Sequence, residues 1–172
     1  MSRPTPQHSA PILTFSLFEG GEWSLSQQNP EKFNLIIFYR GLHCPVCEKY
    51  LQKMNELLSD YEERGVEVVA VSMDSESRAR LTKQKWEIDR LKLGYGLSEE
   101  MARSWGLYIS NGISEKEPDL FSEPGLFLID NSNDVYYCAI NSNPWGRPHL
   151  PSFLKNIDYI LENDYPARGE NI

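Results

Sequence analysis

Residues 33 to 72 hold the pattern that most narrows the fold. "FNLIIFY" (33 to 39) is a short apolar, branched and aromatic run, and "VEVVAVS" (66 to 72) is a second. Between them Cys47, Leu51, Met54, Leu58 and Tyr61 recur at spacings of four, three, four and three. Apolar runs of that length suit buried parallel strands, and the three-four spacing places one stripe along an α-helix. Gly65 follows the stripe and can take the left-handed backbone that ends a helix. A strand, a helix and a strand in this order bring the two strands parallel into one sheet.

The alternation continues on both sides. "ILTFSLF" has strand character, "SESRARLTKQKWEID" reads as a polar helix, and "LKLGYG" as a short strand. "SEEMARSWG" opens with serine and two acids, the usual chemistry of a helix N-terminus, and stops at Gly106. "GLFLID" and "VYYCAI" flank the polar turn "NSND" and predict a hairpin. "LPSFLKNIDYILEND" closes the chain with Leu150, Phe153, Leu154, Ile157, Ile160 and Leu161 at helical spacing. Residues 107 to 124 show no period and read as an inserted loop. The order β-α-β-α-β-α-β-β-α predicts an α/β protein with one mixed central sheet and helices on both faces.

At 172 residues the chain suits a single domain with a core large enough to need no staples. That domain is expected over residues 11–165, after a flexible, polar, proline-rich segment (1–10) and before a tail (166–172). The formal net charge of -8 supplies no broad basic field, which argues against nucleic acid or anionic membrane as a partner. No stretch approaches the roughly 20 apolar residues of a membrane span, and "MSRPTPQHSAPILTF" lacks the apolar middle of a signal peptide. A cytoplasmic protein is therefore expected. Three cysteines, an odd number, argue against a disulfide framework there.

The chemistry centres on "FYRGLHCPVCEK" (38 to 49). A metal half-site, a redox dithiol and two buried thiols all fit a bare CxxC. A structural zinc ion wants four ligands, and Cys138, His8, His43 and His149 offer no second close pair, so no metal is expected. Inert burial is a fair reading for Cys138 but a poorer one for a pair at a strand-to-helix junction. The redox reading has a mechanism. Cys44 falls at the N-terminal edge of the helix, and Pro45 takes the first helical position, where its missing N–H costs nothing. The unpaired N–H groups and the positive end of the dipole favour a thiolate, making Cys44 the candidate nucleophile. Cys47 lies one turn on, on the same face, and can close a disulfide with it.

Four stretches now carry a resemblance. "LIIFYRGLHCPVC", "GVEVVAVSMDS", "EPGLFLIDNSNDVYY" and "NPWGRP" are similar, in order and spacing, to segments of peroxiredoxin-like proteins of the alkyl hydroperoxide reductase and thiol-specific antioxidant type. The resemblance implies a thioredoxin-like fold and a thiol peroxidase without a cofactor. It puts Cys44 at the peroxidatic position and Pro124 where thioredoxin folds hold a cis proline. Arg147, or its rival Arg40, would be the arginine that stabilises the thiolate, and His43 could add a polar contact. It also implies a peroxide substrate, a thioredoxin or glutathione system as reductant, and the homodimers such proteins often form. Two departures stand out. Proline seven residues and Thr or Ser three residues before the cysteine are usual, and Ile37 and Gly41 stand there instead. No resolving cysteine follows Cys138, so resolution falls to Cys47 or to an external thiol. A thiol-disulfide oxidoreductase without a peroxide site, and a non-catalytic binding module, are the alternatives.

Overall fold

The computed structural model describes residues 3–172. Met1 and Ser2, part of the segment read as flexible, lie outside the described residues. The elements are β1 (Thr14–Leu17), β2 (Glu22–Ser24), β3 (Phe33–Phe38), α1 (Pro45–Glu63), β4 (Val66–Val71), α2 (Glu76–Lys85), β5 (Lys92–Tyr95), α3 (Glu99–Ser104), β6 (Ile109–Asn111), β7 (Leu120–Ser122), β8 (Gly125–Asp130), β9 (Val135–Ile140) and α4 (Leu150–Asn163). Seven strands form one sheet in the order β2-β1-β5-β4-β3-β8-β9. The central β3 runs parallel to β4, with Phe33 facing Val66 and Phe38 facing Val71, and antiparallel to β8. The sheet is mixed, as the element order predicts.

The period of two along β3 explains both cores. Leu35 and Ile37 point to one face, where Leu51, Met54 and Tyr61 of α1, Phe153 and Ile157 of α4 and Ala79 of α2 cover them. Ile36 and Phe38 point to the other, against Val69, Phe127, Ala102 of α3 and Trp105, which caps that helix. All six residues of β3 are buried, which is why its sequence is apolar on both faces, Asn34 excepted, rather than alternating. Helices thus cover both faces, three on one and one on the other.

The sequence-predicted stripe of α1 is the buried set Cys47, Leu51, Met54, Leu58 and Tyr61. The helix ends where Gly65 takes φ +76°. Ser75 and Ser98 cap α2 and α3 by accepting from the N–H groups of Arg78 and Met101. Residues 107 to 124, expected to be a loop, hold the small hairpin β6–β7, paired from Ile109–Ser122 to Asn111–Leu120. Strands of three residues are too short to display a period, and β2 escaped notice for the same reason. Within the segment expected to be loose, the N–H groups of Gln7 and Ala10 donate to the carbonyls of Val135 and Asn133 at 2.8 and 2.9 Å. A proline-rich stretch has few N–H groups, and these two find partners at the sheet edge.

Candidate active site

The site is assembled at the carboxyl ends of β3 and β4. These strands are parallel neighbours, so the loops that follow them emerge side by side. After β3 the chain turns through Gly41, Leu42 and His43 and enters α1 at Cys44. Cys44 is the N-cap residue, with φ -111° and ψ 99°, and Pro45 stands at the first helical position. Its sulfur accepts the N–H of Cys47 at 3.2 Å. A sulfur here takes the place of the serine or aspartate oxygen that usually satisfies a free helix N–H, and a negative sulfur does so better.

Cys44 and Cys47 are both buried, and both are free thiols. Their acidities are driven apart. The Cys44 thiol is pulled down to about 7, chiefly by hydrogen bonding from the Cys47 thiol, which outweighs the cost of burial. The Cys47 N–H and the charges of Arg147 and Arg40 add to the fall. Burial pushes the Cys47 thiol well up, and its hydrogen bond to Cys44 raises it further. Near neutral pH one sulfur is therefore substantially ionised while the other keeps its proton. That is the division of labour between an attacking and a resolving thiol. The thiolate absorbance of the reduced protein should rise with pH through an inflection near 7. In Cys47→Ala that inflection moves up, because the largest acidifying contact, the hydrogen bond from the Cys47 thiol, is lost. An inflection unmoved in the variant would show that the two thiols do not interact.

Two arginines stand nearby in different settings. Arg40 is tied to the buried Glu123 by two hydrogen bonds, both 2.8 Å, and lies 4.9 Å from the centre of the Phe121 ring. Glu123 also accepts from the Ser110 hydroxyl at 2.7 Å. This cluster fastens the β6–β7 hairpin to the end of β3. Arg147 makes no ion pair with a carboxylate among the described residues. Its Nε donates to the Pro144 carbonyl at 3.1 Å, and its guanidinium lies 4.4 Å from the centre of the Tyr50 ring. Both of its terminal nitrogens are buried and unpartnered. Arg147 is thus the cation left uncommitted near the sulfurs, and Arg40 is largely neutralised.

His43 packs edge-on against Phe121 at 4.6 Å, and neither ring nitrogen has a partner. Burial is the leading influence on its pKa and lowers it, so the ring is neutral at pH 7. Pro124 departs from expectation. No cis peptide bond occurs among the described residues, so Glu123–Pro124 is trans. The Glu123 N–H donates to the Tyr108 carbonyl at 2.7 Å and the Pro124 carbonyl accepts from the Asn141 N–H at 3.0 Å. Pro124 is a strand-start proline, placed where the ladder asks for no donor.

Asp74 was not anticipated. It is buried in the turn after β4, accepts the Leu42 N–H at 2.8 Å and the Arg78 Nε at 3.0 Å, and so clamps the loop that carries Cys44. The sequence shows only an acid three residues beyond an apolar strand, in "VAVSMDS", which marks a turn and not its buried partners. The same carboxylate accounts for Gly41. Its φ is +139°, and a Cβ there would stand 2.7 Å from Asp74 Oδ1. Cys138 lies on β9, away from the pair in sequence, and burial raises its pKa. Among the described residues no group of three or more His, Cys, Asp or Glu is placed to hold a metal ion.

Comparison with known proteins agrees with this geometry. Alkyl hydroperoxide reductase C of Helicobacter pylori is 24% identical over 174 residues, covering 99% of this chain and 83% of that protein. The chloroplastic 2-cysteine peroxiredoxin of Chattonella marina var. antiqua is 24% identical over 157 residues, or 84% of this chain and 74% of that one. The reduced 2-Cys peroxiredoxin of Plasmodium vivax superposes with a TM-score of 0.77 at 20% identity, covering 93% of this chain and 83% of that structure. The fold is therefore thioredoxin-like, of the peroxiredoxin kind. The sequence model of the AhpC/TSA family matches residues 6–138, and the chain belongs to that family.

Proposed function

We propose that the protein is a thiol peroxidase that reduces hydrogen peroxide or organic hydroperoxides with Cys44 as nucleophile and Cys47 as resolving thiol. The observation that carries this is the unequal pair. Cys44 sulfur caps the helix and accepts the Cys47 N–H at 3.2 Å, while Cys47 is held protonated three residues on, in the first helical turn. The Cys44 thiolate attacks one peroxide oxygen, an S–O bond forms, and the O–O bond breaks to release water or an alcohol after proton uptake. Cys47 then attacks the sulfenic sulfur, its thiol proton leaves with the sulfenic hydroxyl as water, and a disulfide remains. An external thiol system, thioredoxin or glutathione, supplies the two electrons that restore the dithiol. A reducing cytosol would return the pair to thiols, and no helix among the described residues is long and apolar enough to cross a membrane. Family membership supports a homodimer as the working form.

The second reading, a thiol-disulfide oxidoreductase, is favoured by Gly41, which offers no hydroxyl to orient a peroxide. One experiment separates them. One equivalent of hydrogen peroxide added to the reduced protein should remove two thiols and give the Cys44–Cys47 disulfide by peptide mass spectrometry. Thiols that survive peroxide but are oxidised by a protein disulfide would establish the second reading and end the first.

A further inference from the structure

We propose that Tyr50 is a positioning residue for the reaction: its ring seats the Arg147 guanidinium beside the cysteine pair, and its hydroxyl fixes the loop that carries Arg147. This rests on the peroxidase reading, with Arg147 as the cation that stabilises the thiolate, and names the residue that aims it. Tyr50 lies on α1, three residues after Cys47, so the two are neighbours on the helix surface. Its ring packs against the cluster that holds Cys44 and Cys47. The guanidinium lies 4.4 Å from the centre of that ring. Arg147 is thereby set on the side of α1 that carries the sulfurs, although its loop, between β9 and α4, is remote in the chain.

Tyr50 grips this loop at two points. Its phenol donates to the carbonyl of Pro148, the residue after Arg147, at 2.6 Å. Burial pushes the phenol pKa up, so the group keeps its proton and donates at neutral pH. The second point is the guanidinium itself. Its Nε donates to the Pro144 carbonyl at 3.1 Å, but that bond joins two residues of the same loop and ties nothing to the helix. The ring face makes the tie. A cation over an aromatic face is attracted to it, more strongly where water is excluded. A phenylalanine would offer the same face and an aliphatic side chain would not.

The bare nitrogens of Arg147 give the aim a purpose. Nη1 and Nη2 are buried without partners. A buried cation is costly until an anion meets it. The cluster under Tyr50 supplies that anion in the Cys44 thiolate. The Cys44 thiol, pulled down chiefly by the Cys47 thiol, is pulled further by the Arg147 charge. A guanidinium released from the ring would swing on a long, flexible side chain and leave the sulfur without that support.

The test compares the reduced protein with Tyr50→Met, Tyr50→Phe, Arg147→Met and the double variant Tyr50→Met/Arg147→Met. Two quantities are read: the pH inflection of the thiolate absorbance, and the rate of thiol loss to hydrogen peroxide by rapid quench. Tyr50→Met keeps apolar volume without a ring. It should move the inflection up and slow thiol loss roughly tenfold, as a small misplacement of a catalytic group does. Tyr50→Phe should hold the inflection and stay within about twofold of the original rate, because the ring face remains. The double variant should match Arg147→Met, since Tyr50 acts through Arg147. Effects that multiply in the double variant would overturn the proposal. So would an inflection that Tyr50→Met or Arg147→Met leaves in place. A Tyr50→Phe protein as impaired as Tyr50→Met would overturn it too, by assigning the effect to the hydroxyl tie alone. Tyr50→Leu takes the place of Tyr50→Met if thermal unfolding shows that the latter does not fold. Loss of no thiols to peroxide in the unmodified protein would end the peroxidase reading, and the inflections would still decide for or against Tyr50.

Discussion

Cys44→Ser should lower peroxide consumption by on the order of a thousandfold or more, since the serine hydroxyl stays protonated at neutral pH and cannot attack the O–O bond. The fold should survive. Serine is a preferred N-cap, so its oxygen can accept the Cys47 N–H in place of the sulfur, and stability should stay within about 1 kcal/mol. Thermal unfolding beside a peroxide assay separates the two effects. Cys47→Ser should behave differently: the first oxidation proceeds, mass spectrometry finds one added oxygen on Cys44, and turnover then stalls unless an outside thiol resolves it. A Cys44→Ser protein that keeps even a tenth of its peroxide rate would remove Cys44 from the role of nucleophile.

Gly41→Thr is the second large effect, and its direction runs against what the family pattern suggests. The substitution restores the hydroxyl-bearing residue common three positions before the peroxidatic cysteine. Here it should damage the protein. At φ +139° any Cβ is strained, and this one would press into the carboxylate of Asp74 at 2.7 Å. Asp74 would have to give up the Leu42 N–H and Arg78, which now hold it at 2.8 and 3.0 Å. Strain and lost hydrogen bonds together cost about 2–4 kcal/mol. Urea unfolding should show the loss, and Gly41→Ala should show most of it, because the clash begins at Cβ. A Gly41→Thr protein as stable as the original and faster with peroxide would refute the clamp.

Gly41 and Asp74 are best understood as one device. They are 33 positions apart, and the carboxylate fills the space beside residue 41 while holding the next N–H of the same turn. Its purpose is positional: it fixes the loop between β3 and α1, and so the direction from which Cys44 meets the helix. The pair Arg40 and Glu123 does similar work from the other side, across 83 positions. Neither pairing has a local sequence signal. An acid in a turn is ordinary, and only the packing reveals that it is buried and which N–H it faces.

The sequence by itself determined what depends on neighbours a few residues apart. The strand-helix-strand unit followed from apolar runs and a three-four stripe, and the reactivity of Cys44 from a proline and a helix start right after it. Cys47 followed from one turn of helix. The helix start at Pro45 and the one-turn spacing of the two cysteines are short-range matters of backbone geometry, and both are present in the folded protein. Only the tertiary structure decided which cation is free. Arg40 looked equal to Arg147 until Glu123 was seen to occupy it, and Pro124 looked cis until the bonds of Glu123 and Pro124 placed it at an ordinary strand start. Ion pairing and burial join residues that the chain keeps far apart, so their outcome appears only when the sheet brings them together.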